Sequence, residues 1–180
     1  DRLFPITGYQ AACEALLADV SKSNRTDLAD NTPITQTLRV AKEASDPSRT
    51  DTSLQVEIDI THTDPTDLYV TLTSPDGRQV VLWNQGNPGG QDLQGTFPTS
   101  LTPVESLDTF AGGNLEGDWT LFVEDRDVGP IVREGVLSSW GLRITETTDA
   151  TGGASSPISL AGMGRGRDHT CTVAPSTALG

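Results

Sequence analysis

Residues 54–60 read LQVEIDI, and the alternation within this stretch decides the fold class. Every second position is apolar, and the apolar residues are Leu54, Val56, Ile58 and Ile60. The positions between them are polar, with Glu57 and Asp59 among them. Because successive side chains of a β-strand point to opposite faces, this strand has one apolar and one polar face. The pattern is typical of an antiparallel sheet that packs on a core with one face only.

The same alternation recurs along the middle of the chain. Leu68, Val70 and Leu72 repeat it, residues 74–77 (SPDG) predict a turn, and residues 80–83 predict a returning strand. Many short strands of this kind, separated by Gly and Pro turns and with almost no helical period, indicate an all-β protein. We expect a jelly-roll-like antiparallel β-sandwich over residues 32–145.

The two flanks differ from this core in composition. Residues 1–31 are predicted to form an N-terminal extension with one short helix, because apolar residues recur there at helical spacing. They are Tyr9, Cys13, Leu16, Leu17 and Val20. Residues 146–180 are rich in Gly, Ser and Thr and are predicted to form an irregular C-terminal tail.

Four motifs follow one another in the predicted sandwich. They are VEIDITHTDPTDL at residues 56–68, LTSPDG at 72–77, GDWTL at 117–121 and GVLSSWGL at 135–142. Together they resemble the P domain (P/homo B domain), the β-rich module that follows the catalytic domain in kexin- and furin-like subtilases and in related bacterial secreted proteases. The resemblance implies a module without catalytic machinery of its own. It also implies that His62 and Asp67 hold a turn by hydrogen bonds and carry out no chemistry.

The sequence also lacks the motifs of a catalytic site. The chain has two histidines, His62 and His169, and it lacks the Gly-x-Ser-x-Gly and Gly-Thr-Ser-x-Ser motifs that present a nucleophilic serine. No Cys/His spacing for zinc occurs either. We therefore predict that the chain is not an enzyme. Trp119 and Trp140 lie on apolar strand faces and are predicted to be structural core residues.

The charge is strongly acidic, with a formal net value of −13. Electrostatic repulsion makes nucleic acid an unfavourable partner. Acidic residues gather in two loop regions, and calcium takes six to eight oxygen ligands from such loops. The candidate calcium ligands are Asp64, Asp67, Asp125 and Asp127. The alternative is an acidic surface that keeps the protein soluble.

Two further features concern covalent modification. Cys13 and Cys171 are the only cysteines, and they are either two unrelated buried thiols or one disulfide that ties the predicted N-terminal helix to the C-terminal tail. Asn24 begins the triplet Asn24-Arg25-Thr26, a candidate glycosylation acceptor in a polar connector.

Two functional hypotheses follow from these observations. In the first, the chain is a non-catalytic accessory and stabilising domain of a secreted subtilisin-like serine protease or other hydrolase, with the catalytic domain as its partner. In the second, it is a structural or adhesive subunit of an extracellular or cell-surface assembly, and residues 1–31 and 146–180 contact neighbouring subunits. No apolar run approaches 18 residues, so no membrane span is expected.

Overall fold

The computed structural model describes residues 8–41, 52–127, 135–153 and 169–176, with side chains at residues 16–41, 52–127 and 135–147. These residues form ten β-strands and two short 3₁₀ turns, Pro65–Asp67 and Leu107–Phe110. The strands are β1 Gly8–Lys22, β2 Thr26–Leu28, β3 Ile34–Val40, β4 Thr52–His62, β5 Leu68–Thr73, β6 Gln79–Asn84, β7 Leu93–Phe97, β8 Gly117–Asp125, β9 Gly135–Gly153 and β10 His169–Ser176.

The strands form two antiparallel sheets. The larger sheet has the order β10-β1-β9-β4-β7, and β2 pairs with β9 beside β1. The smaller sheet has the order β3-β8-β5-β6. The predicted antiparallel β-sandwich is therefore confirmed, whereas its jelly-roll connectivity stays a prediction. Within the described parts of the chain, no helix has the length and apolar character of a membrane span.

The core lies between the two sheets, where the alternating apolar residues of both meet. In β4 the apolar residues from Leu54 to Ile60 are buried, and the residues between them are more exposed. In β8 the buried residues Trp119, Leu121 and Val123 alternate with partly exposed ones in the same way. Apolar burial of this kind is the main stabilising contribution to the fold.

The predicted N-terminal helix is wrong, because residues 8–22 form strand β1. Its residues 8–16 and 18–22 pair with β9, with an irregularity between Leu16 and Ala18. Ala18 and Val20 pack against the core and alternate with the exposed Asp19 and Ser21. Pairing with β9 satisfies the backbone donors and acceptors of this segment, so tertiary contacts override the helical spacing of its apolar residues.

The irregular C-terminal tail is also wrong for part of its length. Residues 146–153 continue β9, and residues 169–176 form β10, which pairs with β1. Strands β1 and β10, which lie outside the predicted sandwich of residues 32–145, therefore belong to the same sheet as β4, β7 and β9. The composition of these residues is compatible with a loop, and their strand conformation depends on partners that are distant in sequence.

Candidate functional site

Four strand ends meet at one end of the sandwich. His62 ends β4, Leu68 begins β5, Asp125 ends β8 and Gly135 begins β9. The polar residues gathered here are called the His62 cluster, and they comprise His62, Asp64, Asp92 and Asp125. His62 and Asp64 belong to the motif at residues 56–68, and Asp125 follows the motif at residues 117–121.

His62 and Asp125 form a fully buried hydrogen-bonded pair at the centre of this cluster. The His62 Nε2 and Asp125 Oδ2 atoms lie 2.9 Å apart, and both side chains are 0% exposed. The other ring nitrogen, Nδ1, accepts a hydrogen bond of 3.1 Å from the backbone N–H of Asp64. Because Nδ1 is an acceptor, the ring proton resides on Nε2, which donates to the Asp125 carboxylate.

The remaining oxygen of Asp125 is also bonded. Its Oδ1 accepts from the backbone N–H of Asp127 at 3.0 Å. The Asp125 backbone carbonyl accepts from the N–H of Asn31 at 2.8 Å, and the Asn31 side chain donates to the Asp127 carbonyl. A buried carboxylate is costly unless its oxygens are hydrogen-bonded, and this arrangement supplies a donor to each of them.

The turn between β4 and β5 carries the second half of the cluster. The Asp64 side chain caps the 3₁₀ turn Pro65–Asp67 by accepting from the N–H and hydroxyl of Thr66. The Pro65 carbonyl accepts from the indole N–H of Trp83 at 3.1 Å. Asp67 contributes its backbone carbonyl, which accepts from the N–H of Arg126 at 2.9 Å. The turn is thus attached to β6 and to the end of β8.

Two residues that were not predicted as site residues also contact His62, namely Asp92 of the cluster and Gly135 at the start of β9. Asp92 accepts from the backbone N–H of His62 at 3.0 Å. Gly135 lies against the imidazole, and a Cβ atom there would be 2.3 Å from His62 Cδ2 and 2.9 Å from the Thr61 carbonyl oxygen. The glycine that opens the motif at residues 135–142 was the available signal for this close approach.

The hydrogen bonds of the His62 cluster differ from those of a catalytic triad. In a serine protease triad, one histidine nitrogen bonds to the carboxylate and the other remains available to the nucleophile. Here the second nitrogen is bonded to a backbone amide, and the ring is closed off from solvent. Neither nitrogen is therefore placed to accept a proton from a substrate or from a nucleophile.

The structure brings the four candidate calcium ligands to the same end of the sandwich. Within the described ranges, however, no group of three or more His, Cys, Asp or Glu side chains is arranged to hold a metal ion. At Asp125, a cation would compete with the donors from His62 and Asp127. The calcium site stays a prediction, and superimposable melting curves in millimolar calcium and in chelator would contradict it.

The other predicted site residues lie apart from this cluster. Trp119 and Trp140 are 0% and 1% exposed on the inner faces of β8 and β9. Asn24 is exposed in the connector between β1 and β2, and its glycosylation stays a prediction. Cys13 and Cys171 lie on β1 and β10, where the structure describes the backbone alone.

A second polar cluster, called the Asp76 cluster, joins the β5–β6 turn to the loop before β8. Asp76 Oδ2 lies 3.3 Å from Arg78 Nε and accepts from the N–H of Asn114. Arg78 also donates to the carbonyls of Thr109 and Ala111. Desolvation acts to raise the pKa of Asp76, but hydrogen bonds from Ser74 and Asn114 and the charge of Arg78 outweigh it, so the pKa lies below 3.8.

Comparison with solved structures shows where this sandwich recurs. The serine protease of Aeromonas sobria in complex with a chaperone matches with a TM-score of 0.52 and 20% identity, over 75% of this chain and 27% of that chain. The same protease alone matches with a TM-score of 0.51 and 22% identity, over 74% and 27%. At this identity the likeness shows a shared fold. The chain spans about a quarter of the length of these structures.

Comparison at the sequence level is more specific. No curated protein sequence matches the chain. A family model described as the proprotein convertase P-domain matches residues 52–144, from the start of β4 to the inner residues of β9. This range contains His62, Asp92, Asp125 and Gly135, and it confirms the resemblance drawn from the motifs. Because the match extends over more than half of the sequence, the chain belongs to the proprotein convertase P-domain family.

Proposed function

We propose that this chain is the accessory domain of a secreted subtilisin-like serine protease and that it stabilises the catalytic domain by packing against it. The observation that carries this proposal is the P-domain match over residues 52–144. In proprotein convertases the P domain is a non-catalytic accessory domain associated with a protease catalytic domain. The proposal extends that role to this chain.

The His62 cluster supports a non-catalytic role. Its histidine and aspartate are the residue types of a catalytic pair, but their hydrogen bonds are all used to fix strand ends and a turn. The Asp–His pair therefore contributes to the stability of a rigid sandwich. A rigid domain can stabilise a neighbour, because a partner that binds the folded state alone lowers the free energy of that state.

The likeness to the Aeromonas sobria protease supports an attached role. Three quarters of this chain match only about a quarter of that solved chain. Most of the protease therefore lies outside the matched fold. By analogy, we infer that this sandwich occurs as one part of a larger secreted protein.

The alternative was a subunit of an extracellular assembly, with contacts to neighbours made by the flanks. In the described residues, β1 and β10 pair with each other, and β1 pairs with β9 of the same chain. Both sides of β1 are hydrogen-bonded within the chain, which disfavours exchange of β1 between subunits.

The experiment is to express the reading frame that contains these residues with and without this domain. We expect the frame to encode a subtilisin-like catalytic domain whose peptidase activity decays faster at elevated temperature when the domain is deleted. The variant Asp125→Ala should mimic the deletion, whereas Asp118→Ala, at an exposed ion pair with Arg39, should not. A frame without a peptidase, or equal decay rates, would contradict the proposal.

A further inference from the structure

The C-terminal strand β10 is attached to the sandwich along one side. It is the last strand of the larger sheet, and in the described residues its ladder partner is β1, from Gly8↔Ser176 to Ala15↔His169. Pro175 lies within β10 and has no backbone N–H to donate to a ladder. Neither β1 nor β10 falls within the residues that match the family. The pairing of β1 with β10 is therefore a feature of this chain outside the family match.

The register of β1 and β10 places the two cysteines opposite each other. Cys13 and Cys171 are Cα partners in the antiparallel ladder. Opposed residues in such a ladder have Cα atoms about 4.5 or 5.5 Å apart, depending on whether the pair is hydrogen-bonded. Both separations fall within the range of about 4.4–6.8 Å that a disulfide requires. A slip of one residue would remove this opposition.

We propose that Cys13 and Cys171 form a disulfide bond that fastens β10 to β1. The chain has only these two cysteines, and although they are far apart in sequence, they occupy the same rung of the ladder. A cross-link between such distant residues restricts the unfolded chain strongly, because the loop that it closes is long. The inference does not depend on the proposed protease role, since it concerns these two strands alone.

The bond forms by thiol–disulfide exchange with an oxidised disulfide reagent such as oxidised glutathione. One cysteine thiolate attacks a sulfur of the reagent, and one reduced thiol leaves. The second cysteine thiolate then attacks the mixed disulfide, and the second reduced thiol leaves. The protein loses two protons and two electrons overall, and the reagent gains them. A reductant reverses the step and leaves β10 attached by its hydrogen-bond ladder alone.

The covalent bond is tested on the chain folded in the presence of oxidised glutathione. After denaturation without reductant, we expect no alkylation and an intact mass lower by two hydrogen atoms than that of the reduced chain. Proteolysis should yield one linked peptide that contains Cys13 and Cys171. Two alkylated thiols, or linkage between separate chains on a non-reducing gel, would overturn the proposal.

The stabilisation of β10 by the disulfide is tested by amide hydrogen exchange of residues 169–176 with and without a phosphine reductant. We expect reduction to accelerate exchange in β10 by about tenfold or more, because local opening then no longer requires β1 to move with it. Exchange in β5, which lies in the other sheet, reports global opening and should change only by the general loss of stability on reduction. In the matched double variant Cys13→Ser and Cys171→Ser, the reductant should have no effect. Equal exchange in oxidised and reduced wild-type chain would overturn the fastening role without requiring any variant to fold.

Discussion

The His62 cluster and the Asp76 cluster both pair a carboxylate with a basic side chain where strands give way to loops, but they differ in burial. His62 and Asp125 are 0% exposed, whereas the side chains of Arg78 and Asp76 are 41% and 25% exposed. Each of the two pairs also bonds to backbone groups of neighbouring segments. The two clusters therefore make the same kinds of hydrogen bond but differ in their exposure to solvent.

The difference predicts unequal contributions to the free energy of unfolding. When one partner of a buried pair is removed, the other is left without a partner and without water, and the loss is large. When one partner of an exposed pair is removed, water replaces it at little cost. Burial, more than the number of hydrogen bonds, thus decides which cluster stabilises the sandwich.

The largest expected effect is that of Asp125→Ala. The substitution leaves two donors, His62 Nε2 and the Asp127 N–H, without their acceptor, and each buried donor left unsatisfied costs about 1–3 kcal/mol. The control is Asp118→Ala, whose partner Arg39 is 72% exposed and whose loss should cost below about 1 kcal/mol. Denaturant unfolding checks both values, and equal losses for the two variants would break the comparison.

Gly135→Ala tests the packing of the imidazole without removing any hydrogen-bonding group. The added methyl would lie 2.3 Å from His62 Cδ2, so the ring or the strand must shift, and such overpacking costs about 1–3 kcal/mol. Gly90→Ala is the matched control, because a Cβ atom there meets nothing within 4 Å. If thermal unfolding shows the same melting temperature for both variants, the His62 ring is not held as tightly as described.

Trp119 and Trp140 sharpen the comparison, since they are equally buried but differ in polar partners. Trp119 Nε1 donates to the Leu115 carbonyl at 3.0 Å, and in the described structure Trp140 Nε1 has no acceptor. Trp119→Phe should therefore cost about 1 kcal/mol more than Trp140→Phe, because it also leaves a carbonyl unpaired. Denaturant midpoints measure the difference. A larger loss at Trp140 would show that the indole N–H of Trp119 is unimportant.

The smallest effect is the pH dependence of Asp76→Asn. The folded-state pKa of Asp76 lies below 3.8, so the carboxylate contributes stability above that pH and loses it as the pH falls through the folded value. The unfolding free energy of the wild type should exceed that of the variant by less than about 1 kcal/mol near pH 6. That difference should shrink near pH 3. A difference that is constant between the two pH values would contradict the assignment.

The sequence predicted those parts of the fold that depend on local pattern. The alternation at residues 54–60 gave the inner face of β4, and the motif around Trp119 gave that of β8. The helix predicted in the N-terminal extension was wrong, because the spacing of apolar residues does not reveal that β9 and β10 pair with this segment. Strand pairing over such distances is set by the whole sheet and not by local propensity.

The site was predicted in part, for a related reason. The structural role that the resemblance implies for His62 stays a prediction. The carboxylate partner of His62 in the structure is Asp125, 63 residues away, which the sequence analysis had assigned to calcium. Which carboxylate reaches the ring depends on the order of strands in both sheets. Asp92 was missed because it bonds to the backbone of His62, 30 residues away in sequence. Gly135 was missed because its role is to leave space for the His62 ring, which a side chain would fill.

The most direct test of the central claim, that the His62 cluster holds the fold and does not catalyse, is a paired measurement on His62→Gln and the wild-type chain. Peptide hydrolysis and thermal unfolding are recorded on the same preparations. We predict no hydrolysis above the rate in buffer for either protein. We also predict a melting temperature lower in the variant by about 5 °C or more, because buried hydrogen bonds are lost. Hydrolysis that copurifies with the wild type and disappears in the variant, at an unchanged melting temperature, would contradict the account.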